Sequence, residues 1–105
     1  MAWRVEWTEV ALNDVHGIHV YIAFDSANYA GAMVRRIRDA AASLRQFPRR
    51  GATVSEFERD DIRHILVGNY RIIYHVSDER VVILAVIHGA RDLKSLWERE
   101  NRQLP

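Results

Sequence analysis

The segment from Ile62 to Ala90 constrains the fold most strongly, because it predicts three consecutive β-strands. Gly68-Asn69 lies between two apolar runs, and such a pair is a strong signal for a two-residue hairpin turn. A second turn is predicted around Ser77-Asp78-Glu79-Arg80, and the apolar run after it forms the third strand. We therefore expect the chain to be built around a three-stranded antiparallel meander.

The register of this meander predicts which side chains share a face of the sheet. A two-residue turn pairs Val67 with Tyr70, and pairing Val76 with Val81 extends the alternation into the third strand. The first face is mostly apolar and should receive helices: Arg63, Ile65, Val67, Tyr70, Ile72, Tyr74, Val76, Val81, Ile83, Ala85 and Ile87. The second face carries polar residues over an apolar floor: Ile62, His64, Leu66, Arg71, Ile73, His75, Val82, Leu84, Val86 and His88.

The segment before the meander predicts one strand and two helices. Trp3 to Trp7 alternates apolar and charged residues, which is typical of a half-buried strand. Thr8 is a suitable N-cap for a helix over Glu9 to Phe24, whose apolar residues recur at helical spacing. Asp25-Ser26 supplies a break and a cap for a second helix. That helix ends by Phe47-Pro48, because the residue before a proline avoids the helical region.

The remaining segments complete the expected fold. Residues 49–61 are polar and predict a surface loop, while Asp92 can cap a short C-terminal helix with Leu93, Leu96 and Trp97 on one face. The length of 105 residues without a boundary signal predicts one domain, 1–105. The expected class is α+β, β-α-α-β-β-β, with a helical hairpin packed on a small, mainly antiparallel sheet.

Composition narrows the class of protein. The chain has no cysteine, which excludes disulfides and thiolate metal sites. No run approaches the ~20 apolar residues of a membrane span and no apolar signal core is present, so we expect a cytoplasmic protein without membrane contact. The segment from 35 to 50 contains six arginines and a single acidic residue, Asp39. This band is either a solvated helix face or a surface for an anionic partner.

The second face of the sheet carries the candidate chemistry. His64, Arg71, His75 and His88 lie over its apolar floor, and Arg91 follows where the last strand ends. Such a group could bind an anion such as phosphate and move protons near neutral pH. Each residue also has a structural alternative.

Arg71, for example, could pair with Glu98 or Glu100 of the C-terminal helix. His16 and His19 are at helical spacing, but no HExxH pattern or carboxylate partner accompanies them. His19 is instead expected to pack in the apolar stripe of the first helix. No metal site and no cofactor site is predicted.

Four segments together resemble the RelE/ParE superfamily of bacterial type II toxins. In chain order they are WTEVALNDVHGIHVYI, FPRRG, GNYRIIY and VIHGARDL, between Val5 and about Leu93. The resemblance implies one strand, a helical hairpin and a three-stranded meander, in agreement with the pattern above. It also implies a cognate antitoxin that forms a hetero-oligomer with the toxin through a segment that folds on binding.

The resemblance leaves two activities open. RelE-like members cleave mRNA on the ribosome and need a base, phosphate-stabilising cations and an acid. ParE-like members inhibit DNA gyrase and need no such set. The resemblance matches Arg71 and Arg91 to two arginines of the RelE-like enzymes and makes His64 or His88 the candidate base.

The RelE-like set is incomplete in this chain. Trp97 stands where several relatives have a stacking tyrosine, and Ile62 and His64 stand where they have lysines. The resemblance therefore favours a ParE-like toxin that inhibits DNA gyrase, arrests growth and stabilises plasmids, and that is not an enzyme. The alternatives are a ribosome-dependent mRNA endonuclease and a member that has lost its toxicity. In each case we expect the antitoxin to cover the groove beside the paired helices, the sheet edge at Ile62 to Val67, or both.

Overall fold

A five-stranded sheet forms the centre of the structure, a computed structural model that describes residues 3–105. The elements in chain order are β1 (Arg4–Trp7), α1 (Glu9–Ala23), α2 (Ala27–Ala42), β2 (Ala52–Thr53), β3 (Ile62–Val67), β4 (Tyr70–Ser77), β5 (Arg80–His88) and α3 (Leu93–Arg99). The strand order is β1-β5-β4-β3-β2, with β1 parallel to β5 and the other pairs antiparallel. The predicted α+β fold with a mainly antiparallel sheet is confirmed.

The predicted helix caps are present because each depends on a side chain only three residues away. The hydroxyl of Thr8 accepts a hydrogen bond from the Ala11 N–H at 3.0 Å, and Ser26 accepts one from Tyr29 at 3.1 Å. Asp92 accepts from the Ser95 N–H at 3.2 Å. These bonds satisfy backbone donors that have no partner within the helix. The second helix passes into a 3-10 turn at Ser43–Arg45 before it reaches Pro48.

The helical hairpin of α1 and α2 packs on one face of the sheet. Its main buried contributors are Ala11, Met33, Ile37, Ala41, Leu44, Ile65, Ile72, Tyr74, Val81, Ile83 and Val86. Helix α1 contributes through Ala11, Val15, Ile18 and Ile22. The expectation that His19 would be packed is wrong, because it lies on the outer side of α1 and is exposed.

A second core lies on the opposite face, under α3. It is formed by Val54, Ile62, Ile73, Leu84, Ala85, Ile87, Leu93, Leu96 and Trp97. The segment 49–61, expected as a surface loop, contributes the short strand β2 and the buried Val54. Because β2 pairs Ala52 with His64, it covers part of the β3 edge that was expected to be free.

A β-bulge in β5 changes the predicted faces. The two-residue turn pairs Val67 with Tyr70, and Val76 pairs with Val81, as predicted. Tyr74 then pairs with Ile83, whereas Ile73 pairs with Ala85, so that Leu84 is an extra residue. The extra residue inverts the alternation that follows it.

The predicted faces of the last four residues of β5 are therefore wrong. Ala85 and Ile87 join the second core, while Val86 belongs to the core under the helical hairpin. His88 packs edge-on against Tyr70 with ring centroids 5.5 Å apart, so it lies on the helix-bearing face as well.

Candidate functional site

The bulge divides the predicted site residues between two places. His64, Arg71 and His75 lie on β3 and β4, which contain no extra residue, and they share the face of Ile62 and Ile73 that α3 covers. His88 lies on the other face, and it lines a cleft there together with Arg91. The structure thus does not bring the four candidate catalytic residues Arg71, Arg91, His88 and His64 into one group.

Arg71 is buried, with 8% of its surface exposed, and its guanidinium is engaged by protein groups. Its Nε donates to His64 Nδ1 at 2.9 Å, and its Nη1 donates to Glu56 Oε2 at 3.2 Å. The hydrogen bond from Arg71 lowers the pKa of the Glu56 carboxyl. The anionic partner of Arg71 is therefore Glu56, from the 3-10 turn Ser55–Phe57, and neither of the two residues expected from α3.

His64 is held as a neutral ring by the same contacts. Burial lowers the pKa of His64, and the neighbouring charge of Arg71 lowers it further. Because Nδ1 accepts from Arg71, the single proton of the neutral ring lies on Nε2. Neither ring nitrogen then has a lone pair available to accept a proton from a substrate.

His75 belongs to a neighbouring ion cluster. Its Nε2 lies 2.9 Å from Asp61 Oδ2, and Arg59 donates to both oxygens of that carboxylate at 2.9 and 2.7 Å. The Arg59 guanidinium, with help from His75, lowers the pKa of Asp61 to about 2. Arg59 also donates to the backbone oxygen of Pro105 at 2.8 Å. This cluster joins β4, the preceding loop and the end of the chain.

Trp97, at the position matched to a stacking tyrosine, is part of the second core. Its ring packs edge-on against Phe57 at 5.1 Å, and the guanidinium of Arg102 lies 5.7 Å above it. The indole is 7% exposed. It therefore has little free surface on which a nucleobase could stack.

Arg102 forms a largely enclosed ion pair with Asp14 that the sequence pattern did not indicate, and it also pairs with Glu100 at 2.8 Å. The side chains of Arg102 and Asp14 are 9% and 13% exposed, and two hydrogen bonds of 2.8 and 2.7 Å join them. Asp14 also accepts from the Val86 N–H at 3.0 Å. One carboxylate thereby connects α1, β5 and the C-terminal segment.

Two adjoining clefts lie between the helical hairpin and the end of the meander. The first, of about 460 Å³, contains His88 and Arg91; the second, of about 360 Å³, reaches the β3–β4 turn. Both are lined by Tyr21, Tyr70 and His88. Burial raises the pKa of Tyr70, and the nearby phenols of Tyr21 and Tyr29 add to this rise.

The convergence of three phenols had no local signal in the sequence, since the hairpin packing creates it. Beside the clefts, the end of α1 exposes large apolar side chains, with Tyr21 78% and Phe24 94% exposed. Exposed apolar groups that cluster in this way are typical of protein-binding surfaces. None of the helices in residues 3–105 has the length and apolar character needed to cross a membrane.

Comparison with known proteins agrees with this fold. A family model described as the ParE toxin of the type II toxin-antitoxin system parDE matches residues 5–93. The curated protein Toxin RelE2 of Caulobacter vibrioides is 36% identical over 88 residues, which cover 84% of this chain and 97% of the relative.

Solved structures of toxin-antitoxin proteins share this fold. The chromosomal ParDE system from P. aeruginosa superposes with a TM-score of 0.69 at 20% identity, over 83% of this chain and 96% of the other. The toxin-antitoxin complex RelBE2 from Mycobacterium tuberculosis has a TM-score of 0.58 at 26% identity, over 84% and 99% of the two chains. The superfamily inferred from the four sequence segments is confirmed, and the chain belongs to the ParE toxin family, as a toxin of a type II toxin-antitoxin system in the RelE/ParE superfamily.

Proposed function

We propose that this toxin is a ParE-like inhibitor of DNA gyrase that acts in the cytoplasm without nuclease chemistry of its own. The observation that carries the proposal is the state of Arg71. Its buried guanidinium is neutralised by Glu56 and hydrogen-bonded to His64, so it presents no free charge to a phosphate. The match of the ParE toxin model over residues 5–93 supports the same branch.

The positions of the other candidates also support this branch. An RNA-cleaving site needs a base, an acid and cations around one scissile phosphate. Here His88 and Arg91 lie in the cleft beside α1, and His64 and Arg71 lie under α3. Arg91 and His88 are therefore better placed to contact a partner than to complete a site with Arg71.

Gyrase and ribosome assays with the same toxin sample test the proposal. We expect the toxin to inhibit supercoiling by purified gyrase and to leave ribosome-bound mRNA intact. The matched variant is Arg71→Met with Glu56→Gln, which removes the ion pair without leaving a buried charge. It should still inhibit gyrase. Ribosome-dependent mRNA cleavage that this variant loses would show the proposal to be wrong.

One observation favours a second candidate function. The relative that is 36% identical is named a RelE toxin, as is the toxin of the M. tuberculosis complex. A RelE-like mRNA endonuclease would use Arg71, Arg91 and His64 or His88, and Glu56 would have to leave Arg71 before RNA could bind. In cells, this activity would stop translation at once and leave cut transcripts. Gyrase inhibition would instead produce a DNA-damage response and filamentation.

We also propose that a cognate antitoxin binds across the two clefts and the exposed end of α1. The relatives of known structure include toxin-antitoxin complexes. The exposed Tyr21, Phe24 and Tyr29 supply the aromatic anchors that dominate such interfaces. The part of the β3 edge beyond β2, residues 65–67, offers backbone groups for an added strand.

Paired substitutions test the antitoxin surface. Tyr21→Ser with Phe24→Ser should weaken antitoxin binding by tenfold or more, because each side chain is an exposed apolar anchor. Phe47→Ser is the matched control, since Phe47 is 65% exposed but follows the opposite end of α2. Hydrogen exchange on the complex should show protection at the clefts or at residues 65–67. Unchanged exchange at both places contradicts this assignment.

A further inference from the structure

Helix α2 and the 3-10 turn after it expose arginines that the fold does not use. Within residues 3–105, no carboxylate lies at salt-bridge distance from four of them, Arg35, Arg36, Arg38 and Arg45. Arginines on the second face are paired, as Arg71 is with Glu56 and Arg102 with Asp14. Positive charge is thus concentrated on the outer side of the hairpin.

Three of these arginines form a row. Helical spacing places Arg35 and Arg38 on the same side of α2, and Arg45 follows them at the 3-10 turn. We name these three residues the arginine stripe. Arg36 lies apart, because its guanidinium is near Gly68 of the β3–β4 turn. Arg50 is also apart, since it donates to the hydroxyl of Ser43 at 3.0 Å.

The stripe adds little to the stability of α2. Arg35 and Arg38 repel at a spacing of three residues, and Asp39, four residues after Arg35, offsets this repulsion. A groove of about 300 Å³ lies between α2 and β1, and Arg38, Asp39 and Arg45 line it. Tyr21, Phe24 and Tyr29 are located elsewhere, at the α1–α2 end, while Phe47 follows Arg45 by two residues. With three arginines and one carboxylate along it, the stripe carries a net positive charge that suits an anionic partner.

The dimensions of the stripe suit a nucleic acid backbone. Ten residues of helix span about 15 Å, and one strand of duplex DNA carries four or five phosphates over about that distance. Guanidinium groups bind phosphate through two parallel hydrogen bonds, which suits a surface whose cations are all arginines.

We propose that the arginine stripe binds the phosphate backbone of duplex DNA. The choice of DNA over RNA rests on the proposed function, because a gyrase inhibitor meets its target on DNA. The stripe would then contribute to toxicity by holding the toxin beside the DNA that gyrase binds, while the clefts at the other end of the hairpin remain available to the antitoxin.

Binding of the full-length toxin to a 20-base-pair DNA duplex, followed by fluorescence anisotropy at several salt concentrations, tests this proposal. Three phosphate contacts predict that affinity falls about 40-fold between 50 and 200 mM salt. The variant Arg35→Gln, Arg38→Gln, Arg45→Gln should bind at least tenfold more weakly at 50 mM salt. The slope of log affinity against log salt concentration should be smaller in magnitude by about 3 for this variant than for the wild type.

The control variant Arg4→Gln, Lys94→Gln, Arg99→Gln removes the same charge from exposed positions outside the stripe. It should bind like the wild type, and circular dichroism should show that both variants are folded. The proposal is overturned if the stripe variant binds like the control, or if the wild type does not bind DNA at 50 mM salt. It is also overturned if an RNA duplex of the same sequence, or polyglutamate, binds more tightly than DNA.

A gyrase supercoiling assay separates this proposal from the proposed function. If the stripe variant loses DNA binding and the wild type leaves gyrase active, DNA binding by the stripe is supported and gyrase as the target is contradicted. If the wild type inhibits gyrase and the stripe variant binds DNA normally, gyrase as the target is supported and DNA binding by the stripe is contradicted.

Discussion

Asp14 and Arg102 are 88 positions apart in the chain, and their contact determines how the C-terminal segment meets the sheet. Both side chains are nearly enclosed, so water screens the pair little. Arg102 also pairs with Glu100 at 2.8 Å, so the loss of Asp14 would leave the guanidinium with one carboxylate and would remove the acceptor of the Val86 N–H. The pair is thus a point at which a single substitution should affect the whole molecule.

We predict that Asp14→Ala lowers the free energy of unfolding by about 1–3 kcal/mol. The change removes two hydrogen bonds from Arg102, which keeps Glu100 as a carboxylate partner, and leaves the Val86 N–H without an acceptor. Asp14→Asn should cost less, because its amide oxygen can still accept from Val86. Urea unfolding measures both effects. Glu6→Ala is the control: it breaks an exposed pair with Arg80 and should cost less than about 1 kcal/mol.

His64 predicts a pH dependence of stability. Its pKa is lower in the folded protein than in the unfolded chain, so the unfolded chain binds more protons below about pH 6.5. The stability that neutral His64 contributes is complete above that pH and is lost as the pH falls. Unfolding free energy should therefore decrease between pH 7 and pH 5.

The variant His64→Asn isolates this contribution, because its amide oxygen can accept from Arg71 without titrating. We expect a smaller decrease in unfolding free energy between pH 7 and pH 5 than in the wild type. Asp61, with its pKa at about 2, titrates below this window in both proteins. Equal decreases in the two proteins would rule out His64 as the source.

At the scale of elements, the junction of β2 with the meander depends on Gly51. A Cβ at this position would lie 2.5 Å from the backbone oxygen of His64 and 2.6 Å from the hydroxyl of Tyr74. The Gly51 N–H also donates to that hydroxyl at 3.0 Å. The backbone must therefore approach both groups more closely than a side chain permits.

We predict that Gly51→Ala destabilises the protein by about 1–3 kcal/mol, because β2 must move away from β3. Gly17→Ala is the matched control in α1, where a Cβ would meet no atom within 4 Å. That change should stabilise by about 0.5–1 kcal/mol, since alanine loses less entropy in a helix. Thermal unfolding of the two variants should shift the midpoint in opposite directions.

The elements also show how far local sequence determines this fold. The caps at Thr8 and Asp92 and the Gly68-Asn69 turn were predictable, because each depends on residues at most three positions apart. The bulge at Leu84 was not predictable. The run from Val81 to Ile87 is apolar throughout, so no alternation of polar residues marks where the side chains change face.

For the whole molecule, two cores share one sheet. The helical hairpin covers one face, and α3 with the 3-10 turn at Ser55–Phe57 covers the other. The superfamily could be inferred from the sequence because its motifs lie on these elements. The candidate site could not be assembled in the same way, because ion pairs such as Arg71–Glu56 select one partner among 14 acidic residues only when the chain has folded.

We predict that both cores unfold together, since every strand of the meander contributes to each. Trp3 and Trp7 pack on the hairpin side, while Trp97 lies in the second core. In Trp97→Phe, fluorescence reports the first core, and in Trp3→Phe, Trp7→Phe it reports the second. Each fluorescence midpoint in urea should coincide with the far-UV circular dichroism midpoint of the same variant. Separate midpoints would show two independent units.

The extra residue in β5 works like a frameshift in a message read two letters at a time. In the rest of β5, each side chain after Leu84 points to the face opposite to the one that regular alternation would give it. The sequence of a motif such as VIHG can therefore be conserved in full while its histidine moves to the other face of the sheet. Gain or loss of one residue in this strand is enough to move the histidine to the opposite face, without substitution of any residue in the motif.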